Sequence, residues 1–401
     1  MNQTVAVQPD LEFKRTVLGL DAGDLTACYQ CGTCSVVCPI STDDDPFPRK
    51  EMVWTQWGLK ERLMHDPAIW LCHQCQLCST YCPREAKPAN VMAALREYSV
   101  GFHAFPRFLG RWLNKPRYLA LLFGFPVLLL LVVLAMAGTL TDLPEGEIIF
   151  RTFIPFDYIE ILYVVAIAFA LFAGVVGAAR YWRGAVRAIG GPNGTKVSGG
   201  GAVWAVVRDI FLHREFNKCT DERVGNRPTY KTHVPASHIA VFFGFMGLLI
   251  TTTGLFIGIY WFDFFPPMSQ THPLKMLGNV SGVAVIVATL VFMLRRAVDK
   301  EKAGKSTYND WLFVTVLLLV AVTGFLAQIT RIEELPGIAY PTYFIHLTLV
   351  FFLLAYSPFS KFAHVYYRPA AMLIARYREA RNRDAGGGRR AGASEGKEPS
   401  Q

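Results

Sequence analysis

Residues 28–39 read CYQCGTCSVVCP, and residues 72–83 read CHQCQLCSTYCP. Both are C-x2-C-x2-C-x3-C-P, and together they hold eight of the nine cysteines in the chain. The two-residue gaps let three thiolates converge on one metal centre from a tight loop. The fourth cysteine lies one helical turn further on and points elsewhere. The first seventeen residues carry Asp10, Glu12, Lys14 and Arg15 and no apolar core, so no secretory signal is read there and the domain is expected in the cytoplasm. Thiols stay reduced in that compartment, which favours metal over disulfides.

The duplicated run is the one that holds [4Fe–4S] clusters in bacterial two-cluster ferredoxins, where the fourth cysteine ligates the other cluster. The expected ligand sets are therefore Cys28, Cys31, Cys34 and Cys82 for one cluster, and Cys72, Cys75, Cys78 and Cys38 for the other. Zinc would use paired C-x2-C knuckles and leaves the duplicated proline-terminated run unexplained. Between the runs, residues 48–70 place Glu51, Met52, Trp54, Trp57, Leu59 and Leu63 as an amphipathic helix, and 88–98 read as another helix. Strand signals are weak, so an α-helical ferredoxin domain over 1–110 is expected. Cys219 stands alone in a basic loop and reads as a bystander thiol.

After Tyr118 the composition changes. Of the 401 residues 52% are hydrophobic, too apolar for an ordinary soluble protein. Six segments suffice to cross a bilayer core: 118–140, 156–179, 235–260, 274–294, 311–330 and 343–362. The net charge of +9 gathers in the loops 180–231 and 295–305 and in the tail from Arg368, while the alternate loops are poor in basic residues. That is the positive-inside pattern, not a nucleic-acid footprint, and it predicts a multi-pass cytoplasmic-membrane protein with both termini in the cytoplasm. Residues 202–216 are too short to span. Val203, Trp204, Val206, Val207, Ile210 and Phe211 gather on one face, as expected of a helix lying in the membrane interface or docked on a partner. The membrane domain is expected over 111–367. The tail from 368 is basic, and from Arg383, rich in Gly, Arg and Ser, it is expected to be disordered.

Histidines at membrane depth are functional candidates by default. His346 and His364, read as one helix, lie five turns apart on one face, about 27 Å along the axis. That spacing suits one ligand for each of two stacked haems. His238 is level with His364 at the cytoplasmic end, and His272 with His346 at the other, so the expected pairs are His238 with His364 and His272 with His346. Paired imidazoles favour electron transfer over ligand chemistry. The plainer alternative is an interfacial, hydrogen-bonded structural histidine. His233 competes with His238, while His65, His73, His103 and His213 fall outside the spans. Lys275 and Asn279 lie three and seven residues after His272 on the same helix face. Lys275 either donates to a quinone carbonyl or snorkels to the headgroups.

The C-terminal half resembles the membrane cytochrome b subunit of respiratory nitrate reductase and of membrane heterodisulfide reductases. The N-terminal half is similar to the small iron–sulfur subunit of heterodisulfide reductases. Their fusion in this order resembles the membrane subunits of quinone-interacting membrane-bound oxidoreductase complexes. The nitrate reductase subunit also spaces two haem histidines by eighteen residues on its last span, matching His346 and His364. Its partner helix carries two more, ten apart, where this chain has Leu248 after His238, so His272 is read as the substitute. The cysteine-rich CCG motif of heterodisulfide reductase is missing, and no flavin fingerprint is visible. The resemblance implies two b haems, menaquinone as substrate, two cytoplasmic flavo-iron–sulfur partner subunits and, beyond them, adenosine 5'-phosphosulfate (APS) reductase in dissimilatory sulfur metabolism. Two rival readings are a non-redox membrane anchor and the membrane subunit of another quinone-linked oxidoreductase.

Overall fold

The computed structural model describes residues 8–20, 22–141, 143–189, 199–214, 234–264, 266–298 and 304–394, with side chains to residue 382. Cys219 and His233 lie outside the described residues. The chain is 76% helical, and no strand occurs among the described residues. It divides into two compact units. One joins residues 1–107, 174–230 and 362–401; the other joins 108–173 and 231–361.

The first unit gathers short helices around the two cysteine runs. These are α1 (Leu11–Gly19), α2 (Thr33–Val36), α3 (Arg49–Gln56), α4 (Lys60–Met64), α5 (Ala68–Leu71), α6 (Leu77–Thr80) and α7 (Pro88–His103). The single helix expected over 48–70 is thus three. Gly58 breaks it with φ +67, where any side chain would meet the backbone of Asp10, and Pro67 breaks it again before α5. Phe13, Val17, Leu25, Met52, Leu63, Ile69, Met92 and Leu95 bury the apolar faces of these pieces together.

A second core in this unit draws on distant sequence. Trp70 and Val100 pack with Tyr181 and Ala185, near the end of α11 (Phe156–Ala188), and with Tyr367, Ala371 and Ile374 of the last helix, α17 (His364–Ser394). Trp70 stacks on Tyr367 with ring centroids 4.8 Å apart. Arg180 donates to the carbonyl of Ala104 at 2.7 Å. The iron–sulfur domain therefore includes more than residues 1–110: it recruits segments read from sequence as a basic loop and as the tail. At 33 residues α11 is about 50 Å long, well beyond a bilayer core of about 30 Å, and its excess joins this core.

Also in the first unit, α12 (Gly199–Phe211) buries Ala202, Val206 and Asp209, and His213 is buried just beyond its end. Asp209 binds Arg376 of α17. Val203, Trp204, Val207 and Phe211 are exposed. The expected apolar face is thus split: Val206 turns inward with Asp209, because the ion pair sets the docked side. The backbone of α17 continues as helix to Ser394, into the stretch expected to be disordered from Arg383. Ala, Arg and Glu between Ala370 and Arg383 are strong helix formers that start this helix well before the glycines.

The second unit holds long apolar helices. Among the described residues six helices are long and apolar enough to cross a membrane: Pro116–Ala137, Phe156–Ala188, Ala236–Phe262, Pro273–Val298, Tyr308–Ile332 and Pro336–Ala355. In the second unit they are α9 (Leu119–Ala137), the first part of α11, α13 (Val234–Phe262), α14 (Pro273–Val298), α15 (Tyr308–Ile332) and α16 (Pro336–Ala355), with the short α8 (Arg107–Trp112) and α10 (Phe150–Phe153) beside them. Small residues bring α13 and α14 close. A side chain at Gly247 would collide with Ser281, the small-residue packing typical of helices in lipid. Thr307 and Asp310 form a reciprocal cap that starts α15, and Lys361 (3.1 Å) and Arg296 (3.5 Å) pair with Asp310.

The sixth span differs from its expected bounds of 343–362. It ends at Ala355, and two 3-10 turns, Ser357–Phe359 and Lys361–Ala363, separate it from α17. Pro358 supplies the break, since it cannot donate to a continuing helix.

Candidate iron–sulfur site and the span histidines

The two cysteine runs fold alike, residue for residue. Gln30 (φ 60) and Gly32 (φ 86) flank Cys31 in the left-handed region, and Gln74 (φ 56) and Gln76 (φ 66) flank Cys75 in the same way. Three of these four are glutamines, for which that backbone region costs about 1–3 kcal/mol each. A conformation of that cost, found twice at the same place, marks a loop shaped to wrap something. Gly32 and Gln76 then cap α2 and α6, so Cys34 and Cys78 sit in the first turn of a short helix.

The first loop is held from behind by α3. Gln56 donates to the carbonyls of Leu25 (3.0 Å) and Cys28 (3.1 Å), and Arg49 Nε donates to Gln30 O at 2.9 Å. Asp66 caps α5 through the N–H of Ala68 at 2.8 Å, and α5 leads directly into Cys72. Cys34, Cys72 and Cys78 are buried, Cys31 is exposed, and no disulfide joins the eight.

Each buried thiol senses a particular set of neighbours. Burial pushes Cys34 up to about 11, with Cys28, Cys31 and Cys82 adding to the effect. Burial pushes Cys38 up to about 12, with Cys72 and Cys75 adding. Cys78 is raised by burial, then by Cys72, Cys75 and Cys38. The structure thus brings Cys82 to the first three cysteines and Cys38 to the second three. Cys38, Cys72, Cys75 and Cys78 line one cleft with Phe47 and Leu77. All-sulfur donors around an apolar cleft fit an iron–sulfur cluster. Since the buried thiols are neutral without metal, loading iron must release their protons.

One polar feature beside this site was not legible in the sequence. Lys50 reaches Asp45, Glu51 (3.2 Å) and Asp66 (2.6 Å), and Arg378 binds Asp45. Glu51 is 0% exposed. Burial raises its carboxyl from 4.5 to about 8, Asp66 raises it further, and Lys50 opposes. Between these values the folded chain keeps a proton that the unfolded chain has released, so stability falls as pH rises from about 4.5 through about 8 and levels off above. Thermal unfolding in detergent at pH 5.5 and 8.5 checks this: Glu51→Gln loses that decline.

The histidines are distributed less simply. His103 is buried, its Nε2 lies 3.0 Å from Met64 O, and burial lowers it to about 4; it is a neutral packing residue. His73 accepts from Arg368 at 2.9 Å. His238 lies in the first turns of α13. His272 precedes α14, where its Nδ1 accepts from the N–H of Leu274 at 3.3 Å and its ring stacks on Phe264 at 5.0 Å. Lys275 and Asn279 follow in the first two turns of α14, half-buried.

His346 sits nearly three turns inside α16, about 15 Å along the axis from Pro336. It is packed against Gly324, with its Nδ1 3.1 Å from Thr323 Oγ. The Thr323 hydroxyl donates to Leu319 O at 2.6 Å, so toward His346 it accepts. The imidazole proton is then on Nδ1, and Nε2 keeps its lone pair. That is how outer hydrogen bonds orient a metal-binding histidine.

One premise of the four-histidine arrangement, a single helix from His346 to His364, differs from the structure. His364 opens α17 and is not on the helix that carries His346, so the five-turn spacing is lost. His272 lies just before α14, and His346 lies nearly three turns inside α16.

A membrane-bound iron–sulfur electron-transfer protein is the class that six spanning helices and paired cysteine loops define. The chain belongs to the family described as citrate utilization protein B, which matches residues 112–386. Residues 24–86 match the 4Fe–4S dicluster domain. Among curated relatives, one subunit of the dihydromethanophenazine:CoB–CoM heterodisulfide reductase of Methanosarcina thermophila is 29% identical over 150 residues, 34% of this chain and 56% of the relative. The corresponding subunit from Methanosarcina mazei is 24% identical over 254 residues, 54% of this chain and 92% of the relative. One subunit of the H(2):CoB–CoM heterodisulfide,ferredoxin reductase of Methanothermobacter thermautotrophicus is 34% identical over 88 residues, 22% of this chain and 47% of the relative. The chain spans about half the length of the first of these relatives. No solved structure matches.

Proposed function

We propose that this protein is the membrane subunit of a quinone-linked oxidoreductase, passing electrons between menaquinol in the bilayer and flavo-iron–sulfur partners in the cytoplasm. Two [4Fe–4S] clusters, on Cys28, Cys31, Cys34 and Cys82 and on Cys72, Cys75, Cys78 and Cys38, carry the electrons on the partner side. Haem b, with His346 as an axial ligand oriented by Thr323, carries them within the spans; His238 and His272 are the alternatives for the opposite position. Lys275 and Asn279 are the proposed contacts for the quinone headgroup. The observation that carries the reading is the pair of cysteine loops with matching left-handed backbones, joined in one chain to six membrane helices.

The expected service to APS reductase rests on the order of the fusion. The relatives favour a second reading, the membrane subunit of a heterodisulfide reductase. The two differ in which partner enzyme co-purifies and accepts electrons. The test is a reduced-minus-oxidised optical spectrum of the full-length protein before and after a menaquinol analogue. Appearance of a reduced b-type band supports the path; a chain with haem that the quinol leaves oxidised refutes quinol as the donor.

A further inference from the structure

The two cysteine runs are copies offset by 44 residues, yet the chain treats their outer faces differently. The second copy is covered by the chain itself. Trp70, just before it, stacks on Tyr367, and Arg368 donates to His73. Both contacts come from α17, which packs along α5.

The first copy has no such cover among the described residues. The counterpart of the half-buried His73 is Tyr29, 70% exposed, and the counterpart of the polar, also exposed Thr80 is the apolar Val36, 87% exposed. Cys31, between them, is the exposed cysteine of the eight. Two arginines edge the same face. Arg84 lies over the Tyr29 ring at 4.2 Å and donates to its hydroxyl at 3.1 Å. Arg49 runs beside Gly32 to reach Gln30.

A metal-binding loop that displays a tyrosine and a valine to water, with a ligand cysteine between them, gives up burial for access. Both positions meet a guanidinium, but in the second copy His73 is half-buried and the neighbouring Trp70 meets an aromatic ring, whereas Tyr29 stays 70% exposed beneath Arg84. We propose that the Tyr29, Val36 and Arg84 rim around Cys31 is the docking surface for a redox protein whose cofactor edge is ringed by carboxylates. The proposal rests on the electron-transfer reading above. Apolar contact at Tyr29 and Val36 would seat the partner, and Arg84 and Arg49 would steer its acidic rim. Such contacts fall at the small, transient end of protein interfaces, and their steering weakens with salt.

The test uses full-length protein in detergent and two reductants: an acidic flavodoxin hydroquinone, and reduced methyl viologen, which needs no docking surface. In each transfer one electron reduces a cluster. The flavodoxin is oxidised to its semiquinone and releases any proton to water; the viologen radical is oxidised to its dication. In the double variant Val36→Glu, Arg84→Glu, cluster bleaching by flavodoxin slows by about tenfold or more, and its salt dependence shrinks. Bleaching by viologen stays within about twofold of the parent, which shows the cluster intact. Equal flavodoxin rates in parent and variant overturn the surface. So does a parent that viologen reduces and flavodoxin does not. Reduction by neither reagent overturns the electron-transfer reading instead.

Discussion

Cys82→Ser removes the cluster of the first run and leaves that of the second. Cluster iron, counted apart from haem iron, falls from about eight to about four per chain. The same loss follows from Cys28→Ser, 54 residues earlier in sequence. Cys38→Ser, although it belongs to the first run, deletes the other cluster. The reason is the crossed neighbourhood: Cys38 lines one cleft with Cys72, Cys75 and Cys78, while Cys34 responds to Cys28, Cys31 and Cys82. Each loss also removes the centre around which a strained loop is wrapped, so stability falls with iron. Iron and sulfide assays of the anaerobically purified variants, with electron paramagnetic resonance of the surviving cluster, check this. Cys82→Ser and Cys72→Ser giving one and the same residual spectrum would show that the ligands are not crossed.

His346→Ala strips haem from the membrane domain while both clusters survive. This imidazole is nearly three turns inside α16, held through Nδ1 by Thr323. Removing it deletes the ligand and opens a gap against Gly324. Thr323→Val is the finer version. It keeps the ligand and loses its orienting partner, so haem is retained about tenfold more weakly. The optical b-type band per chain, beside cluster iron, separates the two. Full haem content in His346→Ala would remove this residue from the ligand set.

Much of this was legible in the sequence because two strong signals act locally. Four cysteines within eleven residues can hardly serve anything but a metal centre, and the six apolar stretches are longer than any soluble core requires. What failed lay in signals that depend on distant residues or on a single break. The sixth span was extended to Phe362 because Phe359 and Phe362 keep the hydropathy high, although Ser357–Pro358 already marks a stop. That error carried His364 onto a helix it does not share with His346. The left-handed glutamines at 30, 74 and 76 were invisible because their backbone is imposed by the site and not by residue type. The Lys50 network could not be read either, since Asp45 and Arg378 lie 333 residues apart and meet only after α17 folds onto the iron–sulfur unit. The apolar face of α12 was drawn from periodicity, and the Asp209–Arg376 pair decided which side turned inward.

The most direct test of the central claim is to reduce the anaerobically purified full-length protein with dithionite, then count iron, sulfide and unpaired spins in one sample. Two cubanes seated in neighbouring loops predict about eight irons beyond the haem iron and about eight sulfides per chain, and a resonance signal broadened by the interaction of two reduced clusters. Zinc in place of iron, or four irons with the narrow signal of a lone cluster, would contradict it.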